Sequence, residues 1–317
     1  MTTLKVGTRR SKLAITQTAQ VLQALRDKYP DVHFETVEIV TKGDQIQDVA
    51  LAKVGGKGLF VSDIEAALLG KTIDFAVHSM KDVPAVVASG LTIGAIPKRE
   101  DPRDMLVTKY GESLLTLKSG AVIGTSSLRR AAQILALRPD VIVQTIRGNI
   151  DTRLHKLQEL DAITLATAGL ARMGWWDGEH ITHSAYNFHG QPLAIQDMIP
   201  AVGQGALAIE SRTDDQRVLS LLASIHDEMT AIAVRQERAF LETVGGSCQV
   251  PVGALATPDP VKEQSTMVAV IGSPDGMVVL KTSRQGSLSV DLGRTVANEL
   301  LAAGGRSILQ ALSKTSG

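Results

Sequence analysis

The sequence is poor in several kinds of residue that mark common classes of protein. Only 3% of its 317 residues are aromatic, which argues against the aromatic stacking platforms that bind single-stranded nucleic acid. Cys248 is the single cysteine, so no disulfide can form within the chain. No apolar run approaches the ~18 residues of a membrane helix, and residues 1–14 lack the apolar core of a signal peptide. The sequence therefore predicts a cytoplasmic protein without a membrane span.

An excess of charge of one sign is also missing. The chain has 33 basic and 33 acidic residues, so its formal net charge is zero and no global basic field attracts nucleic acid. Hydrophobic residues make up 44% and charged residues 21%, which is typical of a folded globular protein. At ~150 residues per domain, the length predicts two domains or three.

Short apolar strands alternate with amphipathic helices over the first two-thirds of the chain. Residues 4–6 have the pattern of a strand, and a helix is predicted over 11–28. A second strand follows at 34–40, and a further helix at 61–69 leads to a strand at 73–77. This alternation predicts an α/β fold with mainly parallel strand pairing.

The same order of features begins again in the middle of the chain. Residues 6–11 (VGTRRS) have a counterpart in residues 123–130 (IGTSSLRR), where an apolar strand end also runs into Gly-Thr, hydroxyls and arginines. Residues 73–77 similarly have a counterpart in 160–165. Two such echoes in the same order predict two related α/β domains.

The predicted boundaries follow changes in composition. Residues 97–103 are rich in proline and charge, which suits a hinge or linker, and residues 200–205 are a second candidate crossing. After about Leu222 a helix at 228–242 is followed by three consecutive strands at 250–256, 267–272 and 277–282, with a turn at 274–276 and a last helix at 290–303. This pattern predicts a small α+β domain with an antiparallel sheet.

Both Gly-Thr turns have the composition of an anion site. A helix N-terminus presents unpaired N–H groups and a positive dipole end, and hydroxyls and guanidinium groups add donors that match carboxylates or phosphates. The side chains concerned are Arg9, Arg10, Ser11, Thr125, Ser126, Ser127, Arg129 and Arg130. Ordinary helix capping with surface arginine is the alternative interpretation.

Arginine is concentrated in the second of these regions. Residues 121–172 hold six arginines and one lysine against four acids, and Arg147, Arg153 and Arg172 lie near predicted strand-to-helix turns. Such turns face the ligand crevice of an open α/β sheet. A local arginine cluster in a neutral protein predicts a small polyanionic substrate.

Three further motifs complete the candidate site. The glycine-rich residues 51–60 predict a mobile flap and do not satisfy the P-loop pattern. Residues 78–84 follow a strand, where α/β enzymes place catalytic groups, although Lys81 and Asp82 fit a surface ion pair equally well. Cys248 follows a helix and two glycines, a setting that suits a reactive thiol.

Taken together, these motifs resemble the porphobilinogen deaminase family, also called hydroxymethylbilane synthase. The resemblance covers nearly the whole chain, and the order of the motifs is specific although each alone is modest. The segments that carry it are residues 7–9, 52–60, 78–84, 124–130, 147–149, 200–205 and the loop at Cys248.

The resemblance implies a fold of three domains. Two α/β domains similar to type II periplasmic binding proteins are joined by hinges, and a small C-terminal α+β domain with an antiparallel sheet carries the cysteine. The implied first domain comprises residues 1–99 and takes back a segment at about 204–221. The second comprises residues 100–203, and the third residues 222–317.

The resemblance also implies a reaction and a cofactor. The family joins four porphobilinogen molecules head to tail into 1-hydroxymethylbilane, with loss of ammonia at each addition, for haem and porphyrin biosynthesis. A dipyrromethane primer is attached through a thioether to the cysteine, here Cys248. The implied protein is a monomeric transferase that hands its product to the next enzyme of the pathway.

Individual roles follow from the matching motifs. Asp82 corresponds to the catalytic aspartate, whose carboxylate stabilises the azafulvenium ion that forms when ammonia leaves. Because every pyrrole ring brings an acetate and a propionate, many fixed cations are needed. The implied cofactor- and substrate-binding residues are Arg9, Ser11, Lys53, Lys57, Lys81, Thr125, Ser126, Ser127, Arg129, Arg130, Arg147, Arg153 and Arg172.

Some features depart from the family pattern. Lys12 stands where proline is common, and Asp151 where a small residue is frequent. Residues 174–198 form a longer surface elaboration with three histidines, whose spacing in a predicted loop favours no metal site.

Two other functions stay open at this stage. A non-catalytic anion-binding protein of the same two-domain type leaves Cys248 without a role. A nucleotide-binding enzyme is the second alternative, but the sequence lacks the phosphate-binding motifs that such an enzyme needs.

Overall fold

A computed structural model describes residues 2–41, 61–184, 186–245 and 250–315. Its strands form three β-sheets. The strands are β1 (Thr2–Arg9), β2 (Val32–Ile39), β3 (Phe75–Ser79), β4 (Leu91–Ala95), β5 (Asp104–Thr108), β6 (Val122–Gly124), β7 (Ile142–Gln144), β8 (Ala162–Ala166), β9 (His180–His183), β10 (Tyr186–Pro192), β11 (Leu207–Arg212), β12 (Val252–Asp259), β13 (Gln264–Gly272) and β14 (Val279–Ser287).

Helices connect and cover these sheets. They are α1 (Lys12–Arg26), α2 (Ser62–Leu69), α3 (Leu128–Leu137), α4 (Ile150–Lys156), α5 (Thr167–Arg172), α6 (Gln216–Ala223), α7 (Glu228–Thr243), α8 (Asp291–Leu300) and α9 (Arg306–Thr315). Short 3₁₀ turns lie at Met80–Asp82 and Leu157–Glu159, and a π-type turn at Leu301–Gly305 precedes α9. Within the described ranges, no helix has the length and apolar character needed to cross a bilayer.

The first two sheets repeat one topology. The strand order is β2-β1-β3-β11-β4 in the first sheet and β7-β6-β8-β5-β10-β9 in the second. In each, the first three strands are parallel, as predicted, and the fourth is antiparallel to its neighbours, which was not predicted. The predicted fold class, with two related α/β units, is confirmed.

The fourth strand of each sheet directly follows one of the two crossings, β5 after residues 97–103 and β11 after residues 200–205. Strand β5 precedes the rest of the second sheet, and β11 returns to the first sheet after the second is complete. All residues of both strands are buried. Because a strand that is buried along its whole length is covered on both faces of the sheet, these two strands lie in the interior of the two α/β units.

The third sheet is antiparallel in the order β12-β13-β14 and packs against α7 and α8. Its core includes Phe240, Met267 and Val296. The predicted turn at 274–276 is present, with Gly276 at φ +71°, but the strand predicted at 277–282 begins at Val279 and continues to Ser287. The small α+β unit is therefore confirmed with a longer third strand.

The two predicted linkers are anchored on a buried carboxylate. Glu237 of α7 is fully buried and accepts hydrogen bonds from Arg99 Nη1 at 2.5 Å, Gly203 N at 2.7 Å and Ala256 N at 3.0 Å. These donors belong to the first crossing, the second crossing and β12. One side chain therefore ties both crossings to the third sheet.

The segment at 174–198 is not a loop, which corrects the prediction. It contains β9 and β10, and β10 pairs antiparallel with β5 from His189 opposite Thr108 to Pro192 opposite Met105. Phe188 and Ile181 are buried in the core of the second unit. The segment therefore extends the second sheet, and apolar residues alternating between histidines were the signal for it.

Candidate active site

The two Gly-Thr turns occupy equivalent places in the two sheets, between β1 and α1 and between β6 and α3. Ser11 Oγ accepts a hydrogen bond from Ala14 N at 3.2 Å, and Ser127 Oγ accepts one from Arg130 N at 3.4 Å. Both serines are therefore N-caps. Because the capping oxygen acts only as the acceptor, each hydroxyl keeps its hydrogen as a donor for a ligand.

Asp82 lies at the same edge of the first sheet as the first of these turns. It ends the 3₁₀ turn Met80–Asp82, which follows β3 directly, and β3 pairs with β1. Asp82, Arg9 and Ser11 line one cavity together with His78. The carboxyl ends of neighbouring parallel strands thus bring residues from distant parts of the chain together, as expected for an α/β ligand site.

Arginine side chains of the second α/β unit lie near Asp82. Arg153 of α4 is half-buried, and its Nε donates to Gly148 O at 2.9 Å. Burial lowers the pKa of Arg153 to about 10, and the nearby Arg130 and Arg147 contribute to that lowering. Asp82 acts in the opposite direction, which shows that its carboxylate lies within the field of this arginine cluster.

Charged groups of both α/β units affect the pKa of Lys81. Burial lowers the pKa of Lys81, the adjacent Asp82 opposes that lowering, and Arg130 and Arg129 add to it. The structure therefore brings six of the predicted residues into one electrostatic neighbourhood. They are Lys81, Asp82, Arg129, Arg130, Arg147 and Arg153.

Asp104, at the start of β5, is a charged residue of this region that sequence reasoning missed. Arg129 Nη1 lies 2.6 Å from Asp104 Oδ2, and Arg130 Nη2 lies 2.7 Å from Asp104 Oδ1. Gln204 Nε2 also donates to Asp104 Oδ1, at 2.9 Å. Burial alone raises the pKa of this carboxyl, but the two guanidinium groups more than reverse that effect and hold the pKa well below its usual range. The position of Asp104 directly before the apolar residues 105–107 was the sequence feature that could have indicated a buried carboxylate.

This network qualifies the predicted roles of the paired arginines. Arg129 and Arg130 are only 4% and 5% exposed. Arg129 Nη1 also donates to Ile199 O at 2.8 Å, and Arg130 Nη1 donates to Thr164 O at 2.9 Å. Both side chains thus have internal partners, and carboxylate binding by them stays a prediction.

The remaining predicted residues are spread around this centre. Thr125 is buried and accepts from Ser127 N at 3.2 Å, whereas Ser126 is exposed. Arg172 Nη2 donates to Gly205 O at 2.7 Å, at the second crossing rather than beside Asp82, and burial lowers its pKa. Three predicted residues lie outside the described residues: Lys53, Lys57 and Cys248.

Arg238 of α7 is a second residue that sequence reasoning missed. Its guanidinium donates to the carbonyl oxygens of Pro84 at 2.6 Å and Ala85 at 2.8 Å, with a longer bond of 3.3 Å to Val83 O. These three carbonyls directly follow Asp82 in the chain. Arg238 therefore holds the turn that contains Asp82 against α7, the helix that comes before Cys248 in the sequence.

The start of β12 packs closely against the same centre. A Cβ atom added at Gly253 would lie 2.5 Å from Pro200 O and 2.8 Å from Arg129 Cδ, so only glycine allows this approach. Ala254 N also donates to Pro200 O at 3.0 Å. Strand β12, which follows Cys248 in the sequence, therefore packs against the second crossing and Arg129.

The chain is similar to known proteins over nearly its whole length. The family model described as porphobilinogen deaminase, dipyromethane cofactor binding domain, matches residues 4–220, and the model for the C-terminal domain matches residues 231–302. Porphobilinogen deaminase from Listeria innocua is 50% identical over 309 residues, which is 97% of each chain. The protein of the same name from Brevibacillus brevis is 52% identical over 96% of each chain. The one from Bacillus velezensis is 49% identical over 99% of this chain and 98% of the relative. On matches of this extent, the chain belongs to the porphobilinogen deaminase family.

Proposed function

We propose that this protein is the transferase that joins four porphobilinogen molecules head to tail into 1-hydroxymethylbilane, with release of ammonia, for tetrapyrrole biosynthesis. The observation that carries the proposal is the cation cluster around Asp82, in a chain that aligns with the family from end to end. Its substrate, a pyrrole with an acetate and a propionate, is the kind of small polyanion that such a cluster attracts.

The charges of the site fit the dipyrromethane cofactor of the family. Two linked pyrrole rings bring four carboxylates, and Lys81, Arg147 and Arg153 bring three cations close to Asp82. Because Arg130 and Arg147 lower the pKa of Arg153, the cations repel one another until an anion binds. We assign these cations, with Arg9, Ser11 and Ser127, to the carboxylates of cofactor and substrate, and the thioether to Cys248. When bound, the cofactor supplies the free pyrrole carbon to which the first substrate is joined.

Asp82 is assigned to the reaction itself. Loss of ammonia from porphobilinogen leaves a positive charge spread over its pyrrole ring and methylene carbon. A half-buried carboxylate beside the pyrrole N–H stabilises that charge as it develops, and it assists proton transfer. The surrounding cations hold the acetate and propionate groups away from the reacting carbon, so that Asp82 is the anion that faces the charge.

The function is tested by intact mass measurement of the purified protein, followed by peptide mapping. We expect an adduct of two linked pyrrole units on the peptide that contains Cys248, and further ring masses when porphobilinogen is added. A fully active protein whose Cys248 carries no adduct would overturn the assignment of the cofactor. An adduct that never lengthens with porphobilinogen would overturn the assignment of the reaction.

Arg238→Met is expected to lower kcat by up to about 10²-fold, since the turn that positions Asp82 loses three hydrogen bonds and a displacement of ~1 Å has that effect. Arg235→Met is the matched control, because Arg235 lies one turn earlier on α7, is exposed and pairs with Glu228. Steady-state kinetics and thermal unfolding are measured on both variants. Equal kcat values for the two would contradict a positioning role for Arg238.

Other features of the proposal rest on the sequence and the family. The domain division at 1–99 with about 204–221, 100–203 and 222–317 is supported by the three sheets and their separate cores, and it stays a prediction. A monomeric state, a cytoplasmic location and transfer of the product to the next enzyme also stay predictions.

A further inference from the structure

The hairpin of β9 and β10 brings together three side chains that can bind a metal ion. They are Glu179, His180 and His189, and their ligand atoms all lie within 4.8 Å of one another. His180 is directly opposite His189 in the antiparallel register, with ring centroids 4.7 Å apart. The two histidines are nine positions apart in the sequence, so the pairing register is what brings them together.

The turn before β9 holds two of these ligands in place. Asp177 Oδ1 accepts hydrogen bonds from Glu179 N at 3.0 Å and from His180 N at 2.7 Å. Glu179 O accepts from Gly190 N at 2.8 Å, which extends the hairpin ladder to the residue beside His189. The backbone that carries all three side chains is therefore fixed by hydrogen bonds.

The third ligand is held from the opposite side. His189 pairs with Thr108 of β5, and its ring lies against Gly111, where an added Cβ atom would come within 3.4 Å of Nδ1. Its position is thus set by the central strand of the sheet. Glu179, in contrast, is exposed, and its side chain is free to turn toward an ion.

We propose that Glu179, His180 and His189 form a binding site for a divalent metal ion of borderline softness, such as Zn²⁺. Two imidazole nitrogens and one carboxylate oxygen, with water as the fourth ligand, are a donor set that Zn²⁺ and Co²⁺ accept in tetrahedral geometry. In that geometry ligand atoms are about 3.3 Å apart, which small side-chain rotations reach from the present separations. The ion links the turn before β9 to β10 at the outer edge of the second sheet.

The neighbouring histidine is not part of this site. The ring of His183 lies against Trp175 with a centroid distance of 4.0 Å and an interplanar angle of 33°, and its Nε2 lies 3.1 Å from Asp151 Oδ1. The site is also separate from Asp82, because it lies on the outermost strands of the second sheet. Binding is therefore measured without reference to catalysis.

The test is to titrate the cofactor-loaded protein with Co²⁺, with binding monitored by visible absorption, and with Zn²⁺, with binding monitored by calorimetry. We expect one equivalent to bind, with the d–d bands of a four-coordinate Co²⁺ ion. His189→Gln and His180→Gln are expected to weaken binding by at least about 10–100-fold, since loss of even an outer partner of a ligand has that effect. His183→Gln, on the same hairpin, is the matched control and keeps the wild-type affinity.

Glu179→Gln keeps the inference testable if a histidine variant fails to fold, because Glu179 is an exposed turn residue. It is expected to weaken binding, and Zn²⁺ is expected to raise the melting temperature of the wild type more than that of this variant. Absence of one-to-one binding to the wild type would overturn the inference. Equal loss of affinity in His183→Gln and His189→Gln would do the same.

Discussion

Asp82→Asn is expected to slow the chemical step by roughly 10²–10⁴-fold, the loss that follows removal of an acid–base group. The substitution keeps the size of the side chain and part of its hydrogen bonding, but it removes the charge that faces the cation formed on porphobilinogen. Lys81, Arg147 and Arg153 remain, so binding of the carboxylates is retained. The expected phenotype is a slow enzyme that still carries its cofactor.

Single-turnover rates and intact mass together measure this effect. Asp31→Asn, at an exposed position before β2, is the control for loss of one aspartate charge. Arg153→Ala provides the contrast, because it removes a carboxylate anchor and is expected to change how many rings are attached rather than the rate of each addition. Normal turnover by Asp82→Asn would show that another group, such as His78 or a substrate carboxylate, performs the chemistry.

The parts of the site that depend on local sequence could be predicted. Ser11 and Ser127 follow a strand end and precede an amphipathic helix, so their capping role requires only a few neighbouring residues. The repeat of this motif also predicted two related α/β units, and the two sheets confirm it. Asp82 was expected after the carboxyl end of a strand, and it lies there because it follows β3; the pairing of β3 with β1 then brings it beside the first Gly-Thr turn.

The buried ion pairs could not be predicted from the sequence. Asp104 meets Arg129 across 25 residues and Gln204 across 100, and Glu237 meets Arg99 across 138. Arginines assigned to a ligand by composition were in part partners of carboxylates in distant strands and helices. Charge counts do not distinguish these two uses, because the choice depends on which groups share a buried site.

The hairpin at 174–198 illustrates a second limit. Along the chain His183 is the histidine nearest to His180, whereas the strand register places His180 opposite His189. Alternate residues of a strand point to the same face, but which residues meet across strands is set by the register alone. The sequence shows the histidines, and only the pairing of β9 with β10 determines which of them are neighbours.

Asp104→Asn is expected to lower the free energy of unfolding by about 3–5 kcal/mol, the effect of leaving a buried charge without its partner. Arg129 and Arg130 are both buried and both pair with this one carboxylate, so its loss leaves two guanidinium groups uncompensated. Out of a typical total of 5–15 kcal/mol, this loss is large. The variant is also expected to lose activity, because Arg129 supports the start of β12 beside the cysteine loop.

Urea unfolding at several pH values tests this prediction, with Asp101→Asn as the matched control. Asp101 pairs with the partly exposed Arg103, and we expect its loss to change stability by no more than about 1 kcal/mol. Because the folded state lowers the pKa of Asp104, its contribution is fully present above about pH 4 and is lost as the pH falls further. The unfolding free energies of the wild type and Asp104→Asn should therefore converge in strongly acidic solution.

Adding Arg130→Met to Asp104→Asn is expected to recover part of the lost stability, since one of the uncompensated charges is removed. A further loss of stability in the double variant would mean that unpaired charge is not the cause.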